Sequence, residues 1–243
     1  MELILSILGL VLSVFIGGLL VVFLESAQRE STIKLMLAFS GGFLLSIGFI
    51  HFIPELYEHS EMNIGLFILG GFLIQLLLEF FSGGIEHGHV HAHKESKIPY
   101  AVIIALCIHA FIEGVPLGSQ IIGEEMATSH HHGSDYTMLL GIVFHRIPVA
   151  IALMTLLIAS EVSKDKAWVV MTVFALVSPL GLLLGMQGDM GIDLDYNAIL
   201  AIVVGMFLHI STTIIFETSE NHKFNFIKLV AIIGGGGLAL FIH

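Results

Sequence analysis

Runs of apolar residues long enough to cross a bilayer recur along the chain near 3–24, 35–56, 62–82, 98–122, 136–160, 167–187, 196–216 and 224–243. A membrane-crossing helix needs about 20 predominantly apolar residues, so the pattern predicts eight spans and an all-α integral membrane protein. The last run is the shortest: its uncharged part, Leu229 to Ile242, contains GGGG at 234–237, and Lys228 must snorkel to the interface for the helix to reach across. The first run, Leu3 to Leu24, lacks the basic flank and short core of a cleavable signal and reads as a retained helix.

Polar positions between the runs are not scattered. Lysine and arginine fall on alternate connections, at Arg29 and Lys34, Lys94 and Lys97, Lys164 and Lys166, and Lys223 and Lys228. The remaining connections carry acids instead: Glu55, Glu58 and Glu61, then Glu124, Glu125 and Asp135, then Asp189, Asp193 and Asp195. Cytoplasmic loops collect basic residues, so both termini and the acidic loops are expected outside the cytoplasm. Residues 1–243 then form one transmembrane domain, with 83–97 a cytoplasmic histidine-rich loop and 123–135 an external loop rich in histidine and acids.

Composition agrees with lipid as the solvent, at 56% apolar and 12% charged residues. The formal charge of −11 comes from acids that lie mostly in loops. No basic patch interleaved with aromatics is present, which argues against a nucleic-acid partner. Cys107 is the sole cysteine, so no intrachain disulfide can form.

Against this apolar background the ionisable residues inside the spans stand out, because burying them unsatisfied is costly. In IHAFIEGVPLG, residues 108–118, His109 and Glu113 lie four apart and so share a helix face. In FHRIPVA, residues 144–150, His145 offers a third ligand from the next span. Imidazole nitrogen and carboxylate oxygen suit a divalent cation such as zinc. Pro116 and Pro148 follow these residues and deprive the carbonyls of Ile112 and Phe144 of their helical donors. Such segments must line a polar cavity or lie inside the bundle.

Arg146 is the one basic residue deep in a span, where it costs roughly 2.5–3.5 kcal/mol on insertion scales unless paired or hydrated. Glu113 can therefore be a ligand, a counter-charge to Arg146, or each in turn. Other intramembrane polar groups are His51 and Glu55 in GFIHFIPE, Glu79, Ser178 in SPLG, and His209 with Ser211, Thr212 and Thr213 in GMFLHISTT. His51, Glu55 and His209 are candidate pathway groups, although a plain helix-capping role is the favoured reading for His51 and Glu55. SGG at 40–42 and GG at 70–71 read as close helix-packing sites.

Taken in order, SGGFLLSIGFIHFIPE on the second span, the histidine-rich loop, HAFIEG on the fourth, HRIPVA on the fifth and SPLG on the sixth resemble the ZIP (zinc/iron-regulated transporter-like) family over essentially the whole chain. The resemblance implies a ZIP-like 3+2+3 bundle of eight transmembrane helices, with an inverted-repeat relation between the first and last three. It also implies a metal site between the fourth and fifth helices, dimerisation, and passage of divalent metal into the cytoplasm. The chain departs from the family pattern at Ala110, where asparagine is usual, and at Arg146, Val149 and Ala150, where the family has Glu, His and Glu.

With two carboxylates gone and a cation added, two dications cannot be held close together. The expectation is at most one tightly bound metal on His109, Glu113 and His145, with Ser178 as a weak or water-mediated contact and Arg146 as an internal cation in place of the second metal.

EHGHVHAH at 86–93 repeats histidine at His87, His89, His91 and His93, a flexible chelating tract or simply a solvated loop, and SHHHGSD at 129–135 offers a second. The leading function is transport of a divalent metal, zinc first, into the cytoplasm by alternating access. No ATP-binding motif and no prosthetic group is indicated. The alternatives are a non-transporting metal sensor, a transporter of an altered substrate such as an anion or metal complex, and an intramembrane metal-dependent hydrolase. Partners are then the metal ion, the bilayer and a second copy of the chain. The short loops suit a bacterial inner membrane.

Overall fold

A computed structural model describes residues 1–23, 26–59, 63–85, 98–126, 136–187, 195–217 and 226–241; of residues 26–31, 59, 123–126 and 217 it describes only the backbone. All its elements are helical: α1 (Glu2–Phe23), α2 (Ser26–Ile47), a π segment (Gly48–Phe52), α3 (Ile53–His59), α4 (Ile64–Ser82), α5 (Tyr100–Met126), α6 (Thr137–Ala159), α7 (Lys164–Gly185), α8 (Tyr196–Glu217) and α9 (Phe226–Phe241).

The second span is divided by the π segment. Pro54 has no amide to offer the carbonyl of Ile50, and the Ile53 amide bonds the Gly48 carbonyl five residues back. Because this one span holds two α-helices, the fourth and fifth spans are the fifth and sixth α-helices, and the expected site between the fourth and fifth helices belongs to α5 and α6. Seven helical stretches are long and apolar enough to cross a membrane, Thr32–Glu58 among them. Of the eighth predicted run, 224–243, the described residues form α9, 16 residues long and about 24 Å at 1.5 Å per residue; residues 224–225 and 242–243 lie outside the described residues.

The bundle turns its oil outward and its small and polar residues inward, as lipid demands and water does not. On α4, Leu66, Leu69, Leu73, Leu77 and Phe80 are exposed, while Gly71 and Gln75 are buried.

Glycines set the tightest contacts, and they are reciprocal. A β-carbon at Gly114 or Gly118 of α5 would strike the carbonyl oxygens of Ser178 or Leu182 on α7; one at Gly181 or Gly185 of α7 would strike those of Phe111 or Val115 on α5. Gly71 and Gly205 meet the Ile202 and Ile68 carbonyls between α4 and α8, and Gly42 and Gly235 meet those of Ile232 and Phe39 between α2 and α9. On α1, Gly17 would put a β-carbon 2.6 Å from the Ile147 oxygen of α6. The pairing advances in step along α1/α6, from Gly9 at Val143 to Gly17 at Ile147, along α5/α7, and along α4/α8 from Gly71 at Ile202 to Glu79 at His209, so these three couples run parallel. In the SGG and GG motifs the packing positions are Gly41, Gly42 and Gly71, while Gly70 faces open space.

Two apolar clusters fill the interior, one holding Leu106, Val149, Phe174 and Ile210, the other Leu117, Ile142, Leu182 and Phe207. Successive spans traverse them in alternating order. Both ends of the described chain, through Leu3 and Ala239, lie with the second cluster. On α5, α6 and α7 the residues between the clusters are His109 and Glu113, His145 and Arg146, and Ser178: a polar layer enclosed by oil above and below.

Candidate metal centre

His109 and Glu113 project one turn apart from α5, and His145 comes from α6; one ligand atom from each lies within 4.8 Å of the others, and all three residues are buried. It is the one such three-residue group among the described residues. His109 Nε2 stands 2.9 Å from Glu113 Oε1, and the His109 and His145 rings meet edge to face with centroids 6.0 Å apart. Imidazole, carboxylate and imidazole on two rigid helices are three of the four ligands that tetrahedral zinc takes, leaving one position open. The spacing predicted by helix periodicity is therefore realised, and the expected trio does converge.

The other nitrogen of His109 is also held. Its Nδ1–H donates to Oε1 of Gln75, on α4, at 2.9 Å. That bond turns Nε2 toward Glu113, the tautomer and orientation a metal ligand requires. Gln75 is fully buried, yet nothing in the sequence singled it out. The usable signal is a lone amide in ILGGFLIQLLLEFF, an otherwise apolar run apart from Glu79.

Arg146 is 2% exposed, with Nη2 3.9 Å from Glu113 Oε2 and its Cζ 5.3 Å from the centre of the Phe174 ring on α7. The pairing foreseen between Glu113 and Arg146 is present as an ion pair longer than a hydrogen bond. Glu113 thus presents one oxygen to His109 and the other to the guanidinium. Arg146 Nη1 and the hydroxyl of Ser178 are buried with no hydrogen-bond partner among the described residues. Ser178 is on α7, where its carbonyl lies against Gly114 of α5.

His51, Glu55 and His209 are outside this three-residue group. His209 pairs with Glu79 across α8 and α4 and meets Phe72 edge to face at 4.7 Å. His51 Nε2 lies 3.4 Å from the Ala239 carbonyl of α9, while Glu55 is exposed. Ser211, Thr212 and Thr213 hydrogen-bond to carbonyls within α8. His87, His89, His91 and His93, most of loop 83–97 and residues 127–135 lie outside the described residues.

The model of the family described as ZIP Zinc transporter matches residues 2–100 and 85–243 of the chain. Protein zntD of Dictyostelium discoideum is 28% identical over 177 residues, which are 65% of this chain and 24% of that protein. Zinc transporter SLC39A7 of Rattus norvegicus is 30% identical over 88 residues, 28% of this chain and 19% of that protein. The chain therefore spans a minor part of the length of either relative.

Proposed function

Because this chain belongs to the ZIP zinc transporter family, we propose that it carries a divalent metal cation across the membrane into the cytoplasm, by alternating access through His109, Glu113 and His145. Zinc is the first substrate to test, since the matching family is described as a zinc transporter, one relative is named a zinc transporter, and imidazole with carboxylate suits it. The observation that carries the reading is the buried cluster itself, three ligands from α5 and α6 between two apolar layers. A family of transporters leaves no place for the hydrolase reading.

One metal per chain is the capacity of this site. Arg146 stands beside Glu113 where further carboxylates would be needed for a second dication, and its charge repels one. Ser178 supplies at most a weak or water-mediated contact. His51, Glu55 and His209 lie along the route, and His87, His89, His91 and His93 receive the released ion on the cytoplasmic side. The termini are extracytoplasmic by the lysine and arginine distribution, the short loops suit a bacterial inner membrane, and the functional unit is a homodimer.

The 3+2+3 inverted repeat draws support from the helix couples. Exchanging spans one to three with six to eight, and four with five, turns the α5/α7 couple into α6/α1 and the α2/α9 couple into α8/α4, and all four are observed.

The test is uptake of zinc into proteoliposomes loaded with a fluorescent indicator, with His109→Ala beside the wild type. Zinc-dependent signal lost in the variant supports transport. Zinc binding without flux in the wild type instead favours the sensor, the reading motivated by the missing carboxylates.

A further inference from the structure

We propose that Arg146 is a tethered counter-cation: it neutralises Glu113 whenever the metal is absent, so that the emptied centre reorients without a cation taken from solution. Each turn of the cycle then carries the metal's two charges and nothing else. This rests on alternating access through His109, Glu113 and His145, and adds what balances the charge on the return.

Charge is the first reason. A carrier that has released its cargo must reorient empty, and the obstacle is the charge of its own ligands. Glu113 is the one carboxylate of the ligand group. Left alone in a low-dielectric layer, an ionised carboxylate is strongly disfavoured, so a centre with this ligand set needs a cation before it can cross. Here the cation is built in: Arg146 Nη2 is 3.9 Å from Glu113 Oε2, and both side chains are 2% exposed. A guanidinium does not give up its proton as the metal comes and goes, so the pair sums to zero with no ion borrowed from either side of the membrane.

Packing is the second reason. A long cationic side chain in a span ordinarily snorkels to the interface, whereas Arg146 stays buried with its Cζ 5.3 Å from the centre of the Phe174 ring on α7. The helices concerned are packed as one set. Gly17 of α1 lies against the Ile147 carbonyl of α6, next to Arg146, and Gly18 against the Trp168 ring of α7, while Gly114 of α5, next to Glu113, lies against the Ser178 carbonyl of α7. The tethered charge therefore travels with the ligands. When the metal binds, Glu113 turns Oε1 to it and keeps Oε2 toward Arg146. No further carboxylate of the group offsets the ion, so its charge crosses in full, and repulsion from the guanidinium favours its release.

Radioactive zinc and the full chain in proteoliposomes test this in two ways. Net uptake into zinc-free vesicles requires the empty centre to return; exchange into vesicles preloaded with unlabelled zinc does not. In Arg146→Gln the ratio of net uptake to exchange is expected to fall at least about tenfold, a change that a merely structural role of the arginine would not produce. Arg146→Lys should keep the ratio of the wild type, and the double variant of Glu113→Gln with Arg146→Gln, neutral again when empty, should regain it even if both rates drop. The second measurement needs no variant. With valinomycin and a roughly tenfold outward potassium gradient at equal pH, the wild type should accumulate zinc about a hundredfold at equilibrium, because two charges cross per ion. An unchanged ratio in Arg146→Gln overturns the proposal, and so does accumulation of only about tenfold, the mark of a monovalent cation leaving in exchange, or none; each leaves zinc carriage intact. Neither uptake nor exchange in the wild type overturns both.

Discussion

At the scale of single residues, the centre is a set of groups each doing two jobs. His109 gives Nε2 to the cluster because Nδ1 is committed to Gln75. Loss of such an outer partner typically lowers metal affinity by about 10–100-fold. Gln75→Leu is expected to weaken zinc binding in that range in a calorimetric titration, and Gln75→Glu, which keeps an acceptor at the same reach, to weaken it less. Glu113 is the counter-charge to Arg146 as well as a ligand in the proposed site, so Glu113→Gln should cost stability as well as binding. Leaving a buried guanidinium without its carboxylate costs about 3–5 kcal/mol. The variant should melt well below wild type in detergent, and the double variant with Arg146→Gln should recover part of that loss. Additive losses in the double variant would mean that the two charges do not interact. Arg146→Glu should raise zinc stoichiometry or affinity, measured on the purified protein; two tight zinc ions per wild-type chain would contradict the one-metal site.

Among elements, what matters is which residue of a motif meets a neighbour. Gly118 faces the Leu182 carbonyl of α7, whereas nothing lies within 4 Å of a β-carbon at Gly70. Gly118→Ala therefore forces α5 away from α7 and should destabilise by about 1–3 kcal/mol. Gly70→Ala relieves backbone entropy on an open face and should be neutral or stabilising by about 0.5–1 kcal/mol. Thermal unfolding of the two variants checks this, and equal behaviour would mean that the α5/α7 contact is looser than described. The same α5/α7 seam joins Glu113, next to Gly114, to Ser178, so displacing the helices should also lower zinc affinity.

Across the whole molecule, the parallel couples and alternating spans put Leu3 and Ala239 at one end of the bundle. The lysine and arginine pattern says which side of the membrane that end faces. With Cys107 replaced by serine, a cysteine introduced at Lys166 should react with an impermeant thiol reagent only from the cytoplasmic side, and one at Tyr136 only from the outside. The reverse pattern would invert the direction of transport proposed here.

Apolar run length and charge placement are local properties, and they carried the all-helical bundle, the seven long spans and the convergence of His109 and Glu113, since one helix turn is enough to align them. The choice of Gly71 over Gly70, the bond from Gln75 to His109, the stacking of Arg146 on Phe174 and the His209–Glu79 pair were decided only in three dimensions. Each depends on the rotation and depth of one helix against another, and in lipid those follow from close side-chain packing, which sequence periodicity leaves undetermined.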